Sequence, residues 1–511
     1  MRLVRLAVVS AAAIAVACGG SVKPGVAAKR LGVVAPDVLQ HHKNSTKDGL
    51  YVDPLFTRDA ASNLHRETDF TVDLPGQVYA QPLYVENGPD GTPIVLVATE
   101  ENIVLAIDAS SGAEVWRANL DPPAMRSQLP CGNISPMEGV TGTPVIDLDW
   151  RAIYVAANTN DAGVVKQKIY ALSIDDGSLL DGWPVDVPAT VSFGGVPFNS
   201  LPQGQRGGLL LLNGYLYVPY GGHFGDCGQY RGWVVAVPQS DPSSPSAFAT
   251  DITGGGIWAP AGLSSDGVAI FASTGNTFNT TTWRGGEAVF RLGDGATFSG
   301  DVADHFYPSN WHALDIADAD ISGVAPVLVD IPDVSLAVVT SKRGVTYLLN
   351  RDYLGGMGTG DGVHGEGLFS DQLIGQTVIN APAAFTTANG TFVAMTSSGN
   401  GIGCPTPGNL VVYQITPDTP PTATVVWCAS VGSGRYGQIV TTPDGFSEPV
   451  LWTISANRMR AFDAETGEVL FDGGGPDDIM GAVLRGFNSP IAVNGRIFVA
   501  ADSQLYAFTT Q

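Results

Sequence analysis

The stretch IVLVATEENIVLAIDASSGAEVW, residues 94–116, contains the pattern that decides the fold. Two apolar, β-branched runs flank a short polar loop, and the second run ends in an aspartate turn with glycine. A shorter apolar run with proline, QPLYV (81–85), precedes them. Short runs of this kind, bounded by turn residues, are typical of antiparallel strands. The stretch therefore predicts a meander of short strands.

The same unit recurs along the chain about every 58 residues, from Pro82 to Pro490. Its eight copies begin near Gln81, Thr143, Gly207, Ala259, Ala325, Ala381, Gln438 and Ser489. Because one such unit cannot bury both of its faces, a regular series of them predicts the blades of a β-propeller. The last copy stops after three strands, and TDFTVDL (68–74) can supply its outer strand. We expect an all-β, eight-bladed β-propeller of four-stranded blades, closed by an N-terminal strand.

The composition agrees with an all-β chain and excludes several functional classes. Of 511 residues, 44% are hydrophobic, 15% are charged, 63 are glycine and 34 are proline. This balance is neither that of a disordered chain nor that of long exposed helices. The net charge of −23 opposes non-specific nucleic-acid binding, which needs lysine and arginine against phosphates. We therefore expect no nucleic-acid partner.

The N-terminus has the features of an export signal. Arg2 and Arg5 precede an apolar run that is too short to span a bilayer, and small residues lead to Cys18. The ending AVAC resembles a bacterial lipobox, in which Cys18 would be lipidated. The alternative is an ordinary secretory signal with an accidental cysteine.

From this pattern we expect three segments: a lipoprotein signal peptide over 1–18, a tether with a short helix over 19–66, and the propeller over 67–511. The expected location is the bacterial cell envelope, at the outer membrane if the source is Gram-negative. We expect a monomer that contacts the membrane only through its lipid anchor.

The other four cysteines predict two disulfides, since exported proteins use cysteine in this way. Sequence alone leaves three pairings open. Strand direction, however, places the loops between second and third strands on the same rim as the links between blades. We call this the link rim. Positions on it favour Cys131–Cys227 and Cys404–Cys428.

Two of the repeats identify a resemblance. AIDASSGAEVW (106–116) and AFDAETGEVLF (461–471) resemble the AxDxxxGxxxW repeat of pyrroloquinoline-quinone (PQQ) type eight-bladed propellers. In that family the tryptophan packs between blades. The repeat specifies a fold strongly and a function poorly.

Longer segments resemble the quinoprotein alcohol dehydrogenases. GGGIW (254–258) with IFASTGN (270–276) is similar to their GGGxxW and GTGN motifs, and SKRGVTYLLNRD (341–352) to their KxGxxYVLDR. The resemblance implies that Asn276 binds calcium and that Lys342 or Arg343 contacts the quinone. Adjacent strand residues point to opposite faces, so only one of these two is expected to reach the axis. Trp258 either stacks a planar ligand or packs between blades.

The chain departs from that family at the residues that matter for catalysis. His223 stands where the family has a calcium-binding glutamate, and the following insertion carries Asp226. His312, in PSNWHALD (308–315), takes the place of the catalytic aspartate. Neutral imidazole is a poor calcium ligand, although His312 could still act as a base. Asp226 or Asp315 could replace a lost carboxylate, and His223 could instead be a loop histidine that bonds backbone near a disulfide.

Two functions follow from these observations. The leading one is an exported, lipid-anchored PQQ-like propeller that binds a small-molecule ligand or an envelope protein on its loop-rich rim without catalysis. The alternative is a PQQ- and calcium-dependent alcohol or sugar dehydrogenase with altered metal ligands. Convergence of Asn276, Asp226, Asp315 and Lys342 at one place would favour the cofactor.

Overall fold

Eight antiparallel sheets form the blades of a β-propeller in the computed structural model, which describes residues 36–432, 435–482 and 484–511. The predicted all-β, eight-bladed fold is therefore confirmed. Each blade contains a meander of four strands, numbered here from the axis outwards. The hairpins between first and second strands lie on the rim opposite to the link rim, and we call this the hairpin rim.

The strands of the blades have the following bounds. Blade 1 comprises Leu83–Val85, Ile94–Ala98, Ile103–Asp108 and Glu114–Asn119. Blade 2 comprises Val145–Asp147, Ala152–Asp161, Val164–Ser173 and Val185–Asp186. Blade 3 comprises Leu210–Leu212, Tyr215–Gly222, Trp233–Pro238 and Ser246–Ala249. Blade 4 comprises Ser264–Ser265, Ile270–Ser273, Val289–Leu292 and His305–Tyr307.

The remaining blades follow the same order. Blade 5 comprises Val327–Ile331, Val334–Thr340, Val345–Asn350 and Phe369–Gln372. Blade 6 comprises Ala383–Thr387, Gly390–Thr396, Leu410–Thr416 and Thr422–Ala429. Blade 7 comprises Ile439–Thr442, Val450–Ser455, Arg458–Asp463 and Val469–Phe471. Blade 8 comprises Ile491–Val493, Arg496–Ala501, Gln504–Thr509 and His65–Asp73.

Short elements decorate this frame. The helices are α1 (Arg58–Ser62), α2 (Val187–Thr190) and α3 (Trp311–Ala317). The 3₁₀ turns are Pro89–Gly91, Arg126–Gln128, Asp294–Ala296, Val302–Asp304 and Ile321–Gly323. The further strands are Leu50–Val52, Ala124–Met125, Met137–Glu138, Ser192–Phe193, Val196–Pro197, Gln203–Gly204 and Gly356–Met357. In the part of the chain that the structure describes, no helix is long and apolar enough to cross a membrane.

Burial along the strands follows from blade stacking. All five residues of Ile94–Ala98 are buried, because both faces of this strand pack against neighbouring blades. The outer strand Glu114–Asn119 alternates between exposed and buried residues, as expected for a strand with one face in solvent. The core is therefore a ring of inter-blade layers.

Trp116 connects blade 1 to blade 2. Its indole Nε1 donates to the carbonyl of Ile174 at 2.9 Å, and the ring lies against Gly177. A Cβ on Gly177, whose φ is +72°, would be 2.6 Å from the ring. This is the inter-blade packing that the resemblance implied for the repeat tryptophan.

An N-terminal strand completes blade 8. His65–Asp73 pairs antiparallel with Gln504–Thr509, with Val72 opposite Leu505. It begins three residues before the predicted 68–74. Helix α1 precedes it, and the Thr57 hydroxyl caps this helix by accepting from the Ala60 N–H at 3.1 Å.

Residues 38–53, predicted to be part of a tether, instead pack along the propeller axis. Their backbone bonds the first strands of six blades: Val38 to Tyr84, Leu39 to Ile146, Ser45 to Ser265, Thr46 to Leu328, Asp48 to Ala384 and Gly49 to Val440. Leu50–Val52 then adds to blade 7 as a parallel strand. We call residues 38–53 the axial plug. The backbone N–H and C=O groups of this polar segment form hydrogen bonds with the edges of the first strands, which face the centre of the ring.

Both predicted disulfides are confirmed. Cys131 and Cys227 are bonded with a Cα–Cα distance of 5.9 Å, and Cys404 and Cys428 with 5.7 Å. The first joins the link after blade 1 to the loop between the second and third strands of blade 3. It therefore braces the link rim beside His223 and Asp226.

Candidate functional site

A cavity of about 580 Å³ opens on the link rim over blades 3 and 4. Its walls are the blade 4 loop between second and third strands, helix α3, and the disulfide-braced loop of blade 3. We call it the rim cavity, and the side chains that line it belong to Asp226, Asn276, Thr277, Phe278, Asn279, Thr280, Thr281, His312, Asp315, Ile316 and Asp318. Four residues singled out from the sequence thus lie in one place.

Two buried carboxylates position the blade 4 loop. Asp315 on α3 accepts from the Thr277 N–H at 2.8 Å and from its hydroxyl at 2.6 Å. Asp320 accepts from the Asn276 N–H at 2.9 Å. Gly275 permits this approach, because a Cβ there would lie 2.8 Å from the Asp320 carboxylate. The backbone of Asn276 is consequently held on both sides.

The side chain of Asn276 is the group this arrangement presents to the cavity. Asn276 is only 6% exposed, and its carboxamide makes no hydrogen bond to any described residue. Buried polar side chains are normally hydrogen-bonded, so an unpaired carboxamide on a cavity wall indicates a position for a ligand.

The charges around the site are mostly acidic. Burial raises the pKa of Asp315, and burial raises the pKa of Asp320 to about 6 although the nearby Lys342 opposes this. The Lys342 ammonium bonds Asp318 and lies 3.2 Å from Asp320. Burial and the charge of Asp320 raise the pKa of Glu287 well above its usual range. Lys342 is therefore a single positive charge beside several carboxyl groups.

Other residues predicted for the site lie outside the rim cavity. His223 is 3.0 Å from Glu138 through Nδ1 and 3.2 Å from the Leu201 carbonyl through Nε2. Arg343 donates to the Ala317 carbonyl at 3.1 Å, at the C-terminal end of α3. Of the adjacent pair, Lys342 is the one that approaches the site.

Comparison with known proteins supports the architecture. No protein-family profile matches the chain, and no curated protein sequence is similar to it. Among solved structures, quinohemoprotein alcohol dehydrogenase from Comamonas testosteroni superposes with a TM-score of 0.59 at 14% identity, covering 93% of this chain and 80% of that one. A europium-containing methanol dehydrogenase superposes with 0.62 at 13% identity, covering 93% and 98%. This chain has the quinoprotein dehydrogenase fold.

A third similar structure is BamB from Moraxella catarrhalis, with a TM-score of 0.49 at 11% identity, covering 87% of this chain and 97% of that one. The two dehydrogenase structures confirm the resemblance to quinoprotein-type propellers for the fold, which says nothing by itself of the activity.

Two cations lie near Trp258 in this quinoprotein-type propeller. The Lys342 ammonium lies 5.8 Å from the centre of the Trp258 ring and the Arg206 guanidinium 5.7 Å from it. Arg206 also lies 5.3 Å from the Phe487 ring. Two cations over one aromatic ring suit a flat, negatively charged molecule.

The donor set does not fit the calcium ion that quinone chemistry in this fold uses. Calcium takes six to eight oxygens. Within residues 36–432, 435–482 and 484–511, no three His, Cys, Asp or Glu side chains are grouped to hold a metal ion. Asp226, the carboxylate next to Asn276 in the cavity, already accepts from the Tyr230 hydroxyl at 2.6 Å. We therefore derive no catalytic step through the quinone.

Two site residues were missed in the sequence, because Glu287 and Arg206 lie in glycine-rich loops without a motif. Asp318 and Asp320 stand in the aspartate-containing segment DADISG (318–323), and the Trp-containing segment before it drew attention to His312.

Proposed function

We propose that this protein is an exported, lipid-anchored propeller that binds a small polar ligand in its rim cavity and does not catalyse a reaction. The observation that carries the proposal is the Asn276 carboxamide, which is buried, faces the cavity and has no partner among the described residues. Rigid scaffolds commonly present binding groups on loops of this kind.

The polar character of the ligand follows from the lining. Hydroxyls and amides of Thr280, Thr281 and Asn279 accompany the carboxylates, and Phe278 and Ile316 are the apolar residues of the lining. A pocket of several hundred cubic ångströms with convergent polar groups is the usual form of a small-molecule site.

Export and anchoring are proposed from separate grounds. The two disulfides are typical of an oxidising compartment. Cys18 lies outside the described residues, so its lipidation stays a prediction. Metabolic labelling with an alkyne fatty acid tests it, and Cys18→Ala is expected to lose the label; label retained in that variant would disprove anchoring at Cys18.

A second candidate is a PQQ-dependent dehydrogenase, favoured by the two cations over Trp258. It is placed second because the carboxylates near Asn276 are engaged by protein donors and are not grouped around a metal position. Purified protein incubated with PQQ and Ca²⁺ should show no saturable dye reduction with alcohols or sugars. Turnover that Asn276→Ala abolishes would reverse the order of the two candidates.

Binding itself is tested by thermal shift and calorimetry on the full-length protein, with a panel of amines, polyols and small acids. At least one probe should stabilise the wild type, and Asn276→Ala should remove that stabilisation. Asn87→Ala is the matched control, because Asn87 is exposed on the hairpin rim of blade 1. A ligand effect that survives in Asn276→Ala would place binding elsewhere.

A further inference from the structure

A second cavity of about 400 Å³ lies beside the rim cavity. The two cavities share Asp226, Phe278 and Asn279. Their charged lining consists of Asp226, Asp315 and Asp318 with His312, and neither lysine nor arginine lines them among the described residues. A ligand here meets carboxylates on a polar surface with one aromatic ring.

Two of these carboxylates lack a cationic partner. Asp315 is 8% exposed and accepts only from the N–H and hydroxyl of Thr277. Asp226 accepts from the neutral Tyr230 hydroxyl. In the described part of the chain neither forms an ion pair, whereas Lys342 serves Asp318 and Asp320. A buried charge in a protein is normally paired, so the position beside the buried Asp315 is short of positive charge.

From this we propose that the ligand of the rim cavity is an organic ammonium, bound between the carboxylates of Asp315 and Asp226 with the Asn276 carboxamide oxygen as a further acceptor. The inference rests on the proposed function and names the class of molecule that the cavity takes. An ammonium donates up to three hydrogen bonds, and each of these groups offers an acceptor.

Three further observations favour this class. Phe278 lines both cavities, where its ring can contact a cation or the methylene groups beside it. The net charge of −23 raises the local concentration of cations around the protein. A neutral polyol would satisfy the hydrogen bonds and leave the charge of Asp315 unpaired. A divalent metal needs a grouping of carboxylates that is absent from the described residues.

The test uses two probes that differ in charge. N-methyl-D-glucamine and D-sorbitol share a six-carbon chain of hydroxyls, and only the first carries an ammonium. By calorimetry on the full-length protein at pH 7, the ammonium probe should bind at least about tenfold more tightly. Asp226→Asn should weaken its binding about tenfold or more, since the exposed Asp226 can change without loss of folding. Asp315→Asn should do the same, and Asp371→Asn, on the exposed outer strand of blade 5, should not.

The outcomes separate the inference from the proposed function. Equal binding of the two probes would overturn the ammonium class while the binding function stands. Binding of calcium chloride at the same site, shown by its competition with the ammonium probe and its loss in Asp226→Asn, would overturn the class in favour of a metal. If neither probe binds and no member of the wider panel does, both the inference and the proposed function fail.

Discussion

The axial plug is expected to make the protein sensitive to acid through two buried histidines. His41 and His42 are 1% and 0% exposed, and their rings stack at 4.5 Å. Burial lowers the pKa of His42 from 6.5 to about 3, although the nearby carbonyls of Lys47 and Pro382 act against it. Burial and the charges of His42 and Lys47 lower the pKa of His41 well below 6.5. The His42 ring is thus neutral in the folded protein at pH 5.

The sign of the effect follows from proton linkage. As the pH falls, a histidine whose pKa is lowered by folding is protonated in the unfolded protein before it is protonated in the folded protein. Its contribution to stability is therefore fully present above the unfolded pKa of 6.5. For His42 that contribution is lost as the pH falls from 6.5 towards 3, by about 1.4 kcal/mol per pH unit. From pH 6.5 to 5.0 the loss for His42 is about 2 kcal/mol, which is large beside a typical stability of 5–15 kcal/mol.

Carboxyl groups with raised pKa values stabilise the folded state as the pH falls, which is opposite to the effect of the histidines. The contribution of His42 is therefore measured as the difference between a variant and the wild type. Burial and Glu138 raise the pKa of Glu100 to about 8, and this group favours the folded state as the pH falls. His42→Gln removes one titrating ring and retains a polar group near the Ser489 hydroxyl, which lies 3.2 Å from His42 Nε2. Urea unfolding at several pH values gives the free energy of unfolding of both proteins.

Between pH 6.5 and 5.0 the wild type should lose about 2 kcal/mol more stability than His42→Gln. His65→Gln should follow the wild type, because His65 is exposed on the outer strand of blade 8. If His42→Gln and the wild type show the same pH dependence, the neutral buried histidine is refuted. A constant offset between the two curves has no bearing on the argument.

Three further predictions concern packing and bracing. Trp116→Ala should destabilise the protein by about 3–5 kcal/mol in urea unfolding, since it empties the space against Gly177 and breaks the bond to blade 2. Gly177→Ala should also destabilise it, because the residue has φ +72° and no room for a Cβ; an unchanged unfolding midpoint would contradict this. Removing the Cys404–Cys428 bond, which closes a separation of 24 residues, should cost about 3 kcal/mol in the same assay, and no loss would show that the loop is held otherwise.

The blades could be predicted from the sequence because each repeats the same local signals. Apolar runs and aspartate turns recur with a fixed period, and Trp116 packs against the next blade. Each of these features involves residues that are neighbours in the sequence or in adjacent blades. The disulfides followed from strand direction, which places the four cysteines on one rim, together with the blades to which they belong. Periodicity therefore carried the architecture.

The axial plug could not be predicted in the same way. Its hydrogen bonds run from its backbone to the first strands of six different blades, so no side-chain pattern marks them. Its sequence, with HHKNSTKDG (41–49), reads as solvated, although His42 and Lys47 are completely buried. Burial lowers the pKa of Lys47 to about 7. The cost of burying this lysine can be recognised only from the fold, which shows that the propeller surrounds it.

The candidate site was predicted in part for a similar reason. Asn276 was found through its motif, but its environment depends on Asp320, 44 residues further along, which bonds its backbone. The resemblance drew attention to His312 as the substitute for a catalytic carboxylate. Asp320 and His312 both lie near Asn276 in space. Only the fold shows that Asp320 bonds the loop and that His312 lines the cavity.

The two ends of the plug lie on the hairpin rim, whereas the rim cavity opens on the link rim. Both ends of the plug region meet hairpins between first and second strands: Asp37 accepts from the Glu86 N–H at 2.7 Å, and Asp53 from the Gly495 N–H at 2.8 Å. These contacts are on the hairpin rim, whereas Asn276 is on the link rim.

Two variants should therefore each change one property of the protein and leave the other unchanged. Asn276→Ala should abolish binding of the ammonium probe and leave the pH dependence of unfolding as in the wild type, because it changes no titrating group. His42→Gln should reduce that pH dependence and bind the probe with unchanged affinity at pH 7. Calorimetry and urea unfolding of both variants measure this. A loss of probe affinity in His42→Gln would show that the plug and the cavity are coupled through the blades, since no direct contact joins them in the described residues.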